Sequence, residues 1–244
     1  MSTSANNRAT IAAVVAVAAV VIATLVIISS LGGETADDAP SATAATATPE
    51  AGECVEPPAI PAQPQQFDQV PDASLAEDTT WTATVHTTCG DIVMELDGAA
   101  APQTVSSFIS LAREGYWDDS ACHRLTTADV DGISVLQCGD PTGTGSGGPG
   151  YQFGVENAPE DYQYPRGTLA MARQPDPETN GGQFFIVYDL TELQDPDGYT
   201  IFGQVTEGLD IVDRIAAQGT GGTLGPAAPA QPISILDIDL EKAA

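Results

Sequence analysis

Lysine is almost absent from this chain. Lys242 is the only one among 244 residues, and with six arginines it faces 34 acidic side chains, for a net charge of −27. An excess of that size repels a nucleic-acid backbone and the anionic surface of a membrane, so both are excluded as surfaces this protein binds by charge. Acids are themselves missing from residues 1–33, while residues 34–80 hold ten acids and no base. From Trp81 onward, 24 acids stand against six bases. Such an excess reads as a solvated surface and identifies no substrate.

Other absences narrow the chemistry. No cysteine pair has CxxC spacing, which argues against zinc, and no metal or other cofactor is expected. No cysteine closely follows the N-terminal apolar run, so lipoprotein processing is unsupported. Gly143, Gly145 and Gly148 spell GxGxxG, but Pro149 and Gly150 stand where a phosphate-binding helix would begin, and no GK[ST] follows. That stretch reads as a mobile surface loop. Alternating βα units are lacking too, which disfavours a doubly wound parallel sheet.

One long apolar run is present, IAAVVAVAAVVIATLVII from Ile11 to Ile28. Taken to Leu31 it reaches about 20 residues, or about 30 Å of helix, the thickness of a bilayer's hydrocarbon core. The h-region of a cleaved secretory signal is about 7–15 residues, so a retained transmembrane helix over 11–31 is the expectation, with cleavage and secretion as the alternative. Arg8 precedes the span and the acids follow it, which places residues 1–10 in the cytoplasm and the rest outside. This single-pass helix is the only membrane contact expected. Residues 32–80, rich in Ala, Thr, Pro, Asp and Glu, read as a disordered, self-repelling spacer. Cys54, Cys89, Cys122 and Cys138 make an even number in an exported chain. Two disulfides are the default, three connectivities are open, and buried free thiols are the alternative.

The patterning changes at Trp81. WTATVHTTCGDIVMELD, residues 81–97, alternates apolar and polar around a Cys-Gly-Asp turn, the signature of a hairpin. Pro102 opens a segment with Val105, Phe108, Leu111 and Ala112 on one face, ending at Gly115, which predicts a helix. Short strands are predicted at 121–126, 133–138, 168–172, 183–188 and 200–205. A second helix carries Leu209, Val212, Ile215 and Ala216, and ISILDIDL closes the chain as a last strand. Many short strands with two helices predict a mainly β domain over 81–244, a closed barrel capped by helices.

Four blocks in this order carry chemistry: CHRL at 122–125, LQCGD at 136–140, GTLAMA at 167–172 and TNGGQFFIVY at 179–188, followed by FGQV at 202–205. Together they resemble the cyclophilin family. The resemblance implies a closed eight-stranded antiparallel barrel with two helices, and a groove on its outer face that binds proline-containing polypeptides. It implies cis/trans isomerisation of X-Pro bonds by a monomer without cofactor. Arg124 matches the family's catalytic arginine. Gln137 would hold that arginine and the substrate backbone, Gln183 would bind the residue before proline, and Phe185 would floor the proline pocket. Ala172 and Arg173 would line the backbone-binding edge. His123 is expected to be structural, hydrogen-bonded within the barrel, and one of Phe184 and Phe185 to be core.

The family's Phe-Met pair is missing around Ile133, Ser134 and Val135, Arg173 replaces a common asparagine, and Tyr199 replaces a histidine. No tryptophan lies near Gln194. These departures predict an altered pocket wall and weakened cyclosporin binding, with a catalytically weak peptide-binding module or chaperone as the alternative function. On that barrel, 121–126 and 133–138 would be neighbouring strands, which implies Cys122–Cys138 as one disulfide and Cys54–Cys89 as the other.

Overall fold

The computed structural model describes residues 52–243. The expected membrane helix at 11–31 and the first part of the linker lie outside the described residues. Among the described residues no helix is long and apolar enough to cross a membrane.

The first hairpin forms as its alternation dictates. β1 (Thr80–Thr87) buries every second side chain, and β2 (Gly90–Asp97) pairs with it in antiparallel register from Thr80↔Asp97 to Thr87↔Gly90. α1 (Pro102–Arg113) starts on a proline, whose fixed φ suits a first helical turn and whose missing N–H costs nothing there. Its N-cap, Ala101, offers no side-chain acceptor. A remote carboxylate does the capping instead: Glu156 accepts from the N–H groups of Gln103 (3.0 Å) and Thr104 (2.8 Å). An anion there satisfies orphan donors and suits the positive end of the helix dipole. Val105, Phe108, Ile109 and Leu111 then face the core.

Short strands follow: β3 (Ser120–Ala121), β4 (Arg124–Leu125), β5 (Val135–Cys138), β6 (Gln163–Tyr164), β7 (Thr168–Met171), β8 (Phe184–Val187), β9 (Thr191–Glu192), β10 (Ile201–Glu207) and β11 (Ser234–Lys242). One helical turn, α2 (Ala128–Asp131), lies between β4 and β5, and α3 (Leu209–Ala217) between β10 and β11, burying Ile211, Val212 and Ile215. The main sheet runs β3-β11-β1-β2-β10-β7-β8-β5-β4, all antiparallel, so nine strands replace the expected eight. The reason is local. The order begins and ends on two halves of one segment, 120–125, interrupted at Cys122 and His123, whose halves pair with opposite ends of the curled sheet.

Strand alternation sorts side chains between two clusters. Leu125, Leu136, Leu169, Met171, Phe184 and Ile186 join the interior core. Val135, Ala170, Phe185 and Val187, from the same strands, form a second cluster with Tyr164. This second cluster is where the groove is built.

Residues 52–79 correct the spacer expectation, because they lie along the folded domain. A disulfide joins Cys54 to Cys89, and the Val55 N–H donates to the Thr88 carbonyl at 2.7 Å. Farther on, Phe67 N–H donates to Pro149 O (2.7 Å), and Ser106 Oγ on α1 donates to Ala73 O (2.7 Å) while accepting from Ala76 N–H (2.9 Å). Phe67, Val70 and Leu75 pack against the core, and Ala76 is fully buried. The composition suggested solvation, but scattered apolar side chains and satisfied backbone groups suffice to dock an extended strap. The second disulfide is Cys122–Cys138, so both implied pairs are present.

Candidate active site

The central row of the site follows from register alone. Arg124 on β4 pairs with Gln137 on β5, Gln137 with Phe185 on β8, and Phe185 with Ala170 on β7. Four neighbouring strands thus present one line of side chains on the outer face. Val135 and Gln183, each two residues along its strand direction from that row, share the face by the twofold repeat of an extended chain.

Hydrogen bonds connect the row into one directional relay. Arg124 Nη1 donates to Gln137 Oε1 (3.1 Å), and Gln137 Nε2 donates to Gln183 Oε1 (2.8 Å). Gln183 Nε2 ends the chain on two carbonyls, Gly145 (3.1 Å) and Gly147 (2.8 Å). Both donors of the Gln183 amide are therefore spent, which makes it a link between Gln137 and the glycine-rich loop. Gln137 keeps one N–H, and Arg124 keeps four of its five, free among the described residues.

The glycine-rich loop is held, not mobile. Asp140 is fully buried and accepts from Thr142 N–H (2.8 Å), Thr142 Oγ1 (2.7 Å) and Gly147 N–H (3.0 Å). Burial pushes its carboxyl upward, but these donors prevail and hold it below the ordinary 3.8. Gly139 sets the entry to this turn. Its φ is +91°, and a Cβ there would come 2.3 Å from the Gly182 carbonyl, so only glycine lets β5 and the 182–183 segment approach.

Beside the row lies a cavity of about 180 Å³, lined by Arg124, Ile133, Val135, Gln137, Ala172, Arg173, Phe185, Leu193 and Tyr199. All the sequence-predicted groove residues border it except Gln183, which is one hydrogen bond away. Phe185 is 5% exposed and meets Tyr199 edge-on at 5.9 Å. Tyr199 is fixed by Tyr164, whose hydroxyl accepts from the Tyr199 N–H at 2.8 Å. Tyr164 comes from the two-stranded β6–β9 sheet, an element that the sequence does not announce.

Arg173 differs from its expected role. Its side chain is 1% exposed and its donors are spent within the protein: Nη2 pairs with Asp195 Oδ1 (2.6 Å), Nε donates to Gly198 O (2.9 Å) and Nη1 to Gln174 O (3.0 Å). The Tyr199 ring stacks on its Cζ at 4.6 Å. What it offers the groove is a rigid wall, since the Ala172 N–H beside it also donates internally, to Gln183 O (2.9 Å). His123 is a second correction. It is buried, yet neither ring nitrogen has a hydrogen-bond partner among the described residues. Burial lowers its pKa below 6.5, opposed by Asp140 and reinforced by Arg124, so the ring is neutral at pH 7. Among the described residues no group of three or more His, Cys, Asp or Glu side chains is placed to hold a metal ion.

A charged planar donor beside a cavity walled in part by Val135, Phe185, Leu193 and Tyr199 can act on a small uncharged ring held there and stabilise a lone pair developing at its edge. The family described as cyclophilin type peptidyl-prolyl cis-trans isomerase/CLD matches residues 82–240, and the chain belongs to that family. A probable peptidyl-prolyl cis-trans isomerase B of Mycobacterium tuberculosis is 43% identical over 164 residues, covering 62% of this chain and 52% of that protein. The chain thus spans about half the length of that relative. A peptidyl-prolyl cis-trans isomerase of Helicobacter pylori is 41% identical over 137 residues, covering 54% of this chain and 78% of its own. Among solved structures, a Cryptosporidium parvum cyclophilin crystallised in the presence of the dipeptide Ala-Pro is 32% identical, with a TM-score of 0.56 over 66% of this chain and 99% of that one.

Proposed function

We propose that this chain catalyses cis/trans isomerisation of X-Pro bonds in exported polypeptides. The observation that carries the reading is Arg124, oriented by Gln137 and Gln183, with donors left over at the mouth of a cavity floored by Phe185.

The barrier to rotation about a peptide bond is about 18–20 kcal/mol because the amide is conjugated. Twisting an X-Pro bond breaks that conjugation and returns a lone pair to the prolyl nitrogen. The proline ring packs in this cavity against Phe185, and the free donors of Arg124 reach the nitrogen or the adjoining carbonyl as the bond twists. The Gln137 and Gln183 relay fixes the guanidinium beforehand, so its reorientation costs little during the reaction. No nucleophile, proton transfer or cofactor is required. An interaction that strengthens only in the twisted state raises kcat, which is what catalysis demands.

The reading extends to place. Two disulfides support work outside the cytoplasm, where thiols oxidise and persist as disulfides. Residues 11–31 would retain the chain at the membrane with its C-terminal domain extracytoplasmic, and the strong negative charge favours a monomer. The deciding assay is isomerisation of a proline tetrapeptide by the full chain and by Arg124→Ala. Catalysis lost with the arginine supports the reading. Undiminished catalysis would sink the mechanism, and no catalysis by either protein would favour a binding module.

A further inference from the structure

The strap does more than dock, because it reaches the groove. A second cavity, about 450 Å³, adjoins the first and shares Gln137, Ala172 and Arg173 with it. Its far rim carries Gln66, which lies outside the family-matched residues 82–240. Gln66 Nε2 donates to Gly148 O (2.8 Å), and the neighbouring Phe67 N–H donates to Pro149 O (2.7 Å). The approach is close. Gly150 has φ +96°, and a Cβ there would lie 2.7 Å from the Phe67 carbonyl, so glycine is required where strap and loop cross. The Cys54–Cys89 bond fixes the start of the strap covalently.

The chemistry of this cavity is uniform. Gln66, Gln137, Gln152, Gln174, Gln183 and Thr179 contribute neutral amides and a hydroxyl. Its one charged lining residue, Arg173, has its guanidinium committed to Asp195. Gln137 and Gln183 are largely spent on the Arg124 relay. Gln66 Oε1 and the side-chain amides of Gln152 and Gln174 accept or donate no hydrogen bond among the described residues. Gln66 spends both amide N–H groups, on Gln65 O (2.8 Å) and Gly148 O, so it offers the cavity its Oε1 as an acceptor, while Gln152 and Gln174 offer both donors and acceptors. An aliphatic side chain placed here would strip water from those amides without replacing it, whereas a carboxamide or hydroxyl could answer them.

The geometry points to Gln66 as a specificity-determining residue: the strap completes a polar subsite that takes a neutral hydrogen-bonding side chain (Gln, Asn, Ser or Thr) flanking the X-Pro pair. This rests on the reading of the first cavity as the proline site. It makes the strap a working part of the groove, built from residues whose composition suggested only a spacer.

The test uses the full chain and a series of Ala-Pro hexapeptides in which Gln replaces Leu at one flanking position at a time. Kd is measured by NMR titration, and isomerisation by exchange spectroscopy on the same samples. At one position Gln should bind about three- to tenfold more tightly than Leu, the range of one or two net hydrogen bonds. Shifts should appear at the side-chain amide of Gln66 and the backbone of Gly148. Gln66→Met should bring the ratio close to one. So should Gln174→Met in large part; it lies on a rim the strap does not touch and so controls for a loosened strap. Equal affinity at every position, or a preference unchanged in Gln66→Met, overturns the inference. Isomerisation absent with the Gln preference intact sinks the isomerase reading alone. Isomerisation dependent on Arg124 with every flanking position indifferent sinks this inference alone.

Discussion

Two arginines face the same cavity from opposite walls, and they are in opposite states. Arg124, on the β4–β5 wall, has one donor engaged, by Gln137. Arg173, on the wall formed by 172–173 and 195–199, has every nitrogen engaged, and an aromatic ring covers its face. A guanidinium whose donors are internally satisfied shapes a site but has little left to give a substrate. One left partly unpaired at a cavity mouth can act on what binds there. Position beside the groove is thus a poor guide to role, and the state of the donors a better one.

The largest expected effect is on the free arginine. Arg124→Ala should lower kcat/KM on a proline tetrapeptide by about 10²–10³-fold, the range for removing a preorganised donor from a transition state, with little change in Tm. Arg124→Lys keeps the charge but loses the planar fork, and recovery of most of the activity would show that charge alone suffices. On the other wall the effect should fall on stability. Asp195→Ala strands the buried Arg173 guanidinium, and because the carboxylate itself is partly exposed the expected loss is about 2–3 kcal/mol, read by denaturant unfolding. Cys122→Ser with Cys138→Ser opens a loop of sequence separation 16, at about 3 kcal/mol in the chain-entropy account.

The smallest effect is in pH. Partial burial pushes Asp195 upward, but the Arg173 hydrogen bond prevails and holds its pKa below 3.8. A depressed acid stabilises the fold above its unfolded pKa and loses that contribution as pH falls through the folded value. The Tm advantage of the parent over Asp195→Asn should therefore be constant above about pH 5 and shrink below pH 3.8. An advantage that grows on acidification would break the contrast between the walls.

Much of this is legible in the sequence. The alternation at 81–97, the helix opened by Pro102 and the strand at 183–188 follow from period and punctuation. Register then delivers Arg124, Gln137 and Phe185 to one row, and alternation sends Phe184 inward and Phe185 outward. The commitment of Arg173 was not legible, because Asp195 and Gly198 reach it through a loop whose path no periodicity encodes. His123 looked like a satisfied structural histidine, but its unpartnered nitrogens depend on how the Asp140 turn folds over it. The strap was misread because composition averages over Phe67, Val70 and Leu75, which are few but docked. The β6–β9 pair, two residues on each side, is too short to leave a pattern.

The most direct test of the central claim sets the two arginines side by side. kcat/KM on one proline tetrapeptide and Tm are measured for Arg124→Ala and Arg173→Ala in the full chain. The account predicts that Arg124→Ala loses about 10²–10³-fold in kcat/KM at nearly unchanged Tm, while Arg173→Ala loses Tm and far less kcat. A kcat loss for Arg173→Ala equal to that of Arg124→Ala, at unchanged Tm, would contradict it.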